Sequence, residues 1–282
     1  MWPGDKPVRR RERWPKQRVL EDARRLMPRR DSLLARSLEP LASAMWLLFV
    51  VWTLVIAALW LGGLGEPQIN STITNRGLRD ALLLVVGGAD ALWLTLATAN
   101  LYLELAAREG VARTRLWTLL IFGAALVLAA CSTRFGYPLG SVVYTNRLGP
   151  KLGPVPFGWP LLWFSIIVSG RELAKRLLPR ASHTMLALAT GTLAVITELN
   201  LDPLATQFRL FWFWYARGTH LPSSAPWNNH AIWFLAATLL AWAFREENLV
   251  RQARPQTWQP ALIILIMNTL FLAAHLCSAF SR

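Results

Sequence analysis

The feature that most constrains this chain is the length of its apolar runs: hydrophobic residues sit in blocks of about 17 to 27, neither alternating nor confined to one helical stripe, as bilayer spans do. Seven such segments are expected, at about 41–64, 81–107, 112–131, 156–173, 181–199, 229–245 and 260–278. Each should be a helix, because lipid offers the backbone no other hydrogen-bond partner. The expected fold class is therefore all-α, a polytopic transmembrane helix bundle. Composition agrees: 54% of residues are hydrophobic and only 16% charged, with mean hydropathy +0.33.

The net charge of +14 does not point to nucleic acid, because twelve of the thirty Lys and Arg lie between Lys6 and Arg36. A cationic stretch just before the first span reads as a juxtamembrane arm held by topology and lipid headgroups. No DNA- or RNA-binding pattern accompanies it. Residues 1–40 are thus expected to be a basic cytoplasmic arm and 41–282 a transmembrane domain. Placing the N-terminus in the cytoplasm puts most Lys and Arg on that side, which sends the C-terminus to the other. The first apolar block follows a long charged stretch, so it reads as an anchor and not as a cleaved signal. The two cysteines, Cys131 and Cys277, lack metal or redox spacing, and no nucleotide or metal motif occurs, so no cofactor is expected.

Two connections differ from ordinary loops, 132–155 and 200–228, being long, rich in Gly, Pro and aromatics, and expected on the non-cytoplasmic side. Such backbone is expected to pack closely against the bundle or line a cavity.

Ionisable groups in the apolar segments are the candidates for chemistry. Asp90 lies inside the second segment, where the plainer reading is a hydrogen bond to a neighbouring helix. Glu198 ends the fifth, and Asp202 follows four residues later, on the same face if the helix continues. Two adjacent carboxyls can act as an acid–base pair. Asp202 followed by Pro203 equally suits a helix N-cap. Residues 208–215 are dense in aromatics, and the chain has 15 Trp. Most would sit at the membrane interfaces, and a subset facing inward could hold a long apolar ligand and stabilise a cation. The histidines His183, His220, His230 and His275 are scattered and read as packing or interfacial residues.

The run Phe135-Gly136-Tyr137-Pro138-Leu139-Gly140, then Tyr144-Thr145, the stretch Leu148 to Pro156 and Trp163 form one block. A second comprises Glu198-Leu199-Asn200-Leu201-Asp202-Pro203, Trp212 to Tyr215, Pro226-Trp227, Asn229 and Trp233. Together they resemble the two signatures of a membrane family of carotenoid biosynthesis proteins that includes hydratases of the bisanhydrobacterioruberin and γ-carotene 1′,2′ type. The resemblance covers roughly residues 80 to 280. The chain departs from it in having Ala129 where a glutamate is common, Val142 for an aromatic, Glu198 for an aspartate and His230 for an aromatic.

The resemblance implies hydration of the terminal C1=C2 bond of an acyclic carotenoid end group, with no cofactor. Glu198 and Asp202 would share the acid and base roles, Asn229 and Tyr144 orient water, and Arg134 tune the carboxylates. Asp90, Phe135, Tyr137, Trp163, Trp212, Trp214, Tyr215, Trp227 and Trp233 would contact the substrate. The expected partners are the carotenoid in the bilayer, membrane lipids and other enzymes of carotenoid biosynthesis; the expected home is a bacterial cytoplasmic membrane. The competing expectation is a carotenoid-binding scaffold without catalysis, or a small proton-coupled transporter using Asp90 and Glu198.

Overall fold

The computed structural model describes residues 29–62, 66–216, 221–244 and 257–280. The basic arm lies mostly outside them, as does His220. Helices α1 (Arg29–Leu61), α3 (Arg76–Glu109), α4 (Val111–Phe135), α5 (Gly158–Leu177), α6 (His183–Pro203), α7 (Trp227–Ala243) and α8 (Gln259–Phe280) coincide with the seven expected segments; a short α2 (Glu66–Thr72) joins the first two. Five of them, α1, α3, α4, α6 with its extension to Phe208, and α8, are long and apolar enough to cross a membrane by length and composition. The chain is an all-α polytopic membrane bundle.

Local chemistry sets the helix ends. The Asn75 side chain caps α3 by accepting from the Leu78 amide at 3.0 Å, and Ser182 caps α6 by accepting from Met185 at 3.2 Å. Gly136 ends α4 with a left-handed φ of 67°, its N–H reaching the Ser132 carbonyl at 2.9 Å.

The remaining two helices differ for a physical reason. Helix α5 is the centre of the bundle, touching α3, α4, α6, α7 and α8, and is buried from Gly158 through Ala174. Being surrounded by protein, it can carry charges. Glu172 takes a two-pronged bond from Arg108, at 2.8 and 2.5 Å, and a third from Lys175 at 2.8 Å. Helix α7 has 17 residues and packs along α6. At that crossing, a Cβ on Gly191 would lie 2.8 Å from the Phe234 carbonyl and collide with Thr238, so only glycine lets the helices approach this closely.

The two unusual connections are more ordered than the sequence suggests. Strand β1 (Ser141–Tyr144) from the first pairs antiparallel with β4 (Trp212–Tyr215) from the second, with Val142 opposite Trp214 and Tyr144 opposite Trp212. Strand β5 (Pro222–Ser223) adds to the far edge of β4, while β2 (Lys151–Leu152) and β3 (Val155–Pro156) form a separate hairpin. The pairing puts both connections at one end of the bundle. Gly140, at φ 122°, lies so close to Pro226 and Trp214 that no side chain would fit, which seats β1 against the entry to α7.

Candidate active site

Helix α6 continues to Pro203, so Glu198 and Asp202 share a face one turn apart. Asp202 therefore stands in a last helical turn and is not an N-cap. The helix then widens into a π turn, Leu204–Phe208, closed by the Arg209 amide on the Leu204 carbonyl at 2.8 Å. Leu210 follows with φ 52°, a strained value for a side chain of its size. Its carbonyl accepts from the Thr145 hydroxyl at 2.7 Å, so the bend is tied to the end of β1.

That bend aims β4 back across α6. Trp212 and Trp214, two apart on a strand and so on one face, both donate their indole N–H to Oδ1 of Asp202, at 3.1 and 2.7 Å. Glu198, 2% exposed, is held differently: Asn229 Nδ2 donates to Oε1 at 2.6 Å, and Nδ1 of His230 is hydrogen-bonded to Oε2. Both partners come from the first turn of α7, which the Gly191 crossing brings against α6.

Beside the carboxylates lies a knot of buried rings. Trp159 touches Tyr144, Trp163, Trp212 and Trp233, with centroids 5.0 to 6.3 Å away, and Trp163 stacks on Trp233 at 4.5 Å. Three polar atoms of this region are buried without a hydrogen-bond partner: the Tyr144 hydroxyl, Trp163 Nε1 and Asn229 Oδ1. A donor, an acceptor and a hydroxyl able to do either are the hydrogen-bonding capacity a small polar guest would use. Burial pushes the Tyr144 phenol well above its ordinary value, so it keeps its proton and can donate.

The other expected residues are distributed as follows. Trp163, Trp212, Trp214 and Trp233 are buried, and Tyr215 is half-buried at the sheet. Phe135, Tyr137 and Trp227 point outward, Trp227 being 80% exposed. Arg134 is exposed in the last turn of α4 and takes no part in the hydrogen bonds around Glu198 and Asp202. Asp90 makes no hydrogen bond to the pair and has partners of its own. Its Oδ1 accepts from Trp60 at 3.1 Å and its Oδ2 from Arg209 Nε at 3.0 Å, with a second bond from Nη2 of Arg209. With Trp93, Leu201 and Phe271 it lines a small cavity.

Three contributors escaped the sequence. Arg209 is a lone cation in an aromatic run, a signal that it needs a buried anion. His230 follows Asn229 directly, and Trp159 opens α5 four residues before Trp163. Among the described residues no group of His, Cys, Asp and Glu is placed to hold a metal ion.

A membrane bundle whose two non-helical connections fold together over a carboxylate pair, Glu198 buried and Asp202 half-buried, and a tryptophan knot defines an integral membrane protein with an interior site near one end. Its sequence matches the model of the carotenoid biosynthesis protein family over residues 89–281, and the chain belongs to that family. It is 34% identical over 142 residues to the bisanhydrobacterioruberin hydratase of Haloarcula japonica. That match spans 49% of this chain and 45% of the relative, so the chain is aligned with about half of that protein. No solved structure matches.

Proposed function

We propose that the protein is a carotenoid hydratase, adding water across the terminal C1=C2 bond of an acyclic end group. Glu198 gives its proton to C2, the π electrons form the new C–H bond, and a tertiary cation is left at C1. Water adds there, and Asp202 takes the surplus proton. Asp202 suits that role because two indole N–H donors fix one of its carboxylate oxygens in place and leave the other to take the proton. The faces of Trp159, Trp163 and Trp233 suit the cation, at roughly 0.5–2 kcal/mol per contact. Tyr144 and Asn229 present unsatisfied polar atoms suited to the attacking water. Hydration moves no electrons between reactants, so these groups suffice for it without a redox cofactor.

The observation that carries the proposal is a carboxylate pair on one helix face, Glu198 buried and Asp202 half-buried, each held by a different set of partners, beside an aromatic knot with unfilled hydrogen-bonding capacity. A polyene is as long as the bilayer is thick, so a site near one end of the bundle lets its tip meet water while its body stays in lipid. The outward Phe135, Tyr137 and Trp227 would line the approach for that body. We place the chain in a bacterial cytoplasmic membrane with seven spans and the N-terminus inside, working beside other enzymes of carotenoid biosynthesis.

The test is the pigment profile of a lycopene- or γ-carotene-producing host with and without the protein. A product heavier by one water, carrying labelled oxygen from the medium, is expected. Unchanged pigments with the protein verified in the membrane would overturn the hydratase in favour of a carotenoid-binding scaffold.

A further inference from the structure

We propose that His230 is the proton entry to the site, carrying protons between the outside and the enclosed Glu198. The side chain of Glu198 is 2% exposed and that of His230 28%, so the imidazole spans from the carboxylate to the surface of the bundle. His230 is the fourth residue of α7, the helix that follows the exposed stretch Leu221–Ser224, and lies one turn from the exposed Trp227, at the end of the bundle that carries the two connections. Nδ1 engages Oε2 of Glu198. The other carboxylate oxygen is held by an amide, which binds but cannot release a proton. Imidazole alone in this set can take a proton at one nitrogen and pass another from the second. The charged groups facing it from α6 are Glu198 and Asp202. On α5, the charged residues Arg171, Glu172, Lys175 and Arg176 belong to the opposite end, and β1, β4 and β5 contain none.

The use of this path rests on the hydratase proposal. Once Glu198 has protonated carbon, the Nδ1–H bond of His230 breaks, an Oε2–H bond forms and Nε2 gains a proton from hydronium; a half-turn of the ring then brings an N–H back to Oε2 before the next cycle. The proton collected by Asp202 leaves to the medium, so a cycle consumes one water and no net proton. His230 acts through Glu198 and is a positioning residue.

The path itself can be tested without substrate, on the full chain in detergent micelles. The infrared C=O band of the Glu198 carboxyl is assigned by its loss in Glu198→Gln, and its deuterium shift is timed after dilution into D2O at a pH where the band is present. Fast exchange is expected for the unaltered protein. His230→Gln, whose amide still bonds to Glu198, is expected to slow it by about 10²-fold, and added imidazole to restore it; His230→Asn repeats the contrast with a shorter amide. Unslowed exchange in the amide variants, slowing that imidazole leaves untouched, or no Glu198 carboxyl band at any pH would each overturn the relay. Pigments unchanged in the host experiment would instead sink the hydratase and leave the relay standing.

Discussion

Asp90 and Glu198 are both carboxylates 2% exposed inside long apolar helices, yet their surroundings are opposite in kind. Asp90 faces a guanidinium that bonds it twice, plus the indole of Trp60. Glu198 faces an amide and an imidazole, one always neutral and the other able to change charge. Fixed opposite charges lock one protonation state, whereas neutral and titratable partners leave it open. The first arrangement suits a strut and the second a group that trades protons. The strut has a definite place: Arg209 closes the π turn and precedes the strained Leu210, so its anchorage on Asp90 fixes where β4 starts and hence where Trp212 and Trp214 meet Asp202.

Removing the strut should have the largest effect. Asp90→Asn leaves the Arg209 guanidinium buried without its counter-charge, and about 3–5 kcal/mol of stability is expected to be lost. Denaturant titration of the folded bundle in micelles measures it. Pairing Asp90→Asn with Arg209→Met should recover most of that loss; a double variant as unstable as the single one would show that Arg209 is not the cause.

Glu198→Gln should do the reverse. The amide is nearly the same shape and stays bonded to Asn229 or His230, so unfolding should shift little. Product formation in the pigment-producing host is expected to fall by about 10²-fold or more, equivalent to roughly 2.7 kcal/mol. If Glu198→Gln unfolds the protein as severely as Asp90→Asn while the remaining folded fraction keeps its turnover, the contrast between the two acids collapses.

How far the molecule was legible before its structure follows from the same contrast. All seven long helices were, because a block of about 17 or more apolar residues has few alternatives. The sheet was not: Ser141–Tyr144 and Trp212–Tyr215 are four residues each, and their pairing spans about seventy residues of chain that no local pattern encodes. Glu198 and Asp202 stood out as acids in an apolar run, and their common face needed only that α6 continue. Their partners did not stand out, because Trp212 and Trp214 share a face only once they are known to form a strand, and His230 reaches Glu198 only through the α6–α7 crossing. Gly191→Val tests that last dependence. Added bulk there should push the helices apart at a cost of about 1–3 kcal/mol in stability and weaken the hold of α7 on Glu198. Loss of product larger than loss of folded protein is the expected sign.

The smallest effect separates the two members of the carboxylate pair. Trp214→Phe removes the shorter of the two indole bonds to Asp202 while keeping a ring at the sheet, and Trp212 still donates. A single hydrogen bond to a charged group is worth about 1.5 kcal/mol at the low end, so about a tenfold drop in hydration rate is expected with the fold intact. The deuterium exchange of Glu198 should not change, because His230 and Asn229 are untouched. Were exchange at Glu198 to slow as much as turnover, the pair would be behaving as one coupled unit, and the division of labour between a proton donor fed by His230 and an acceptor held by two tryptophans would have to be given up.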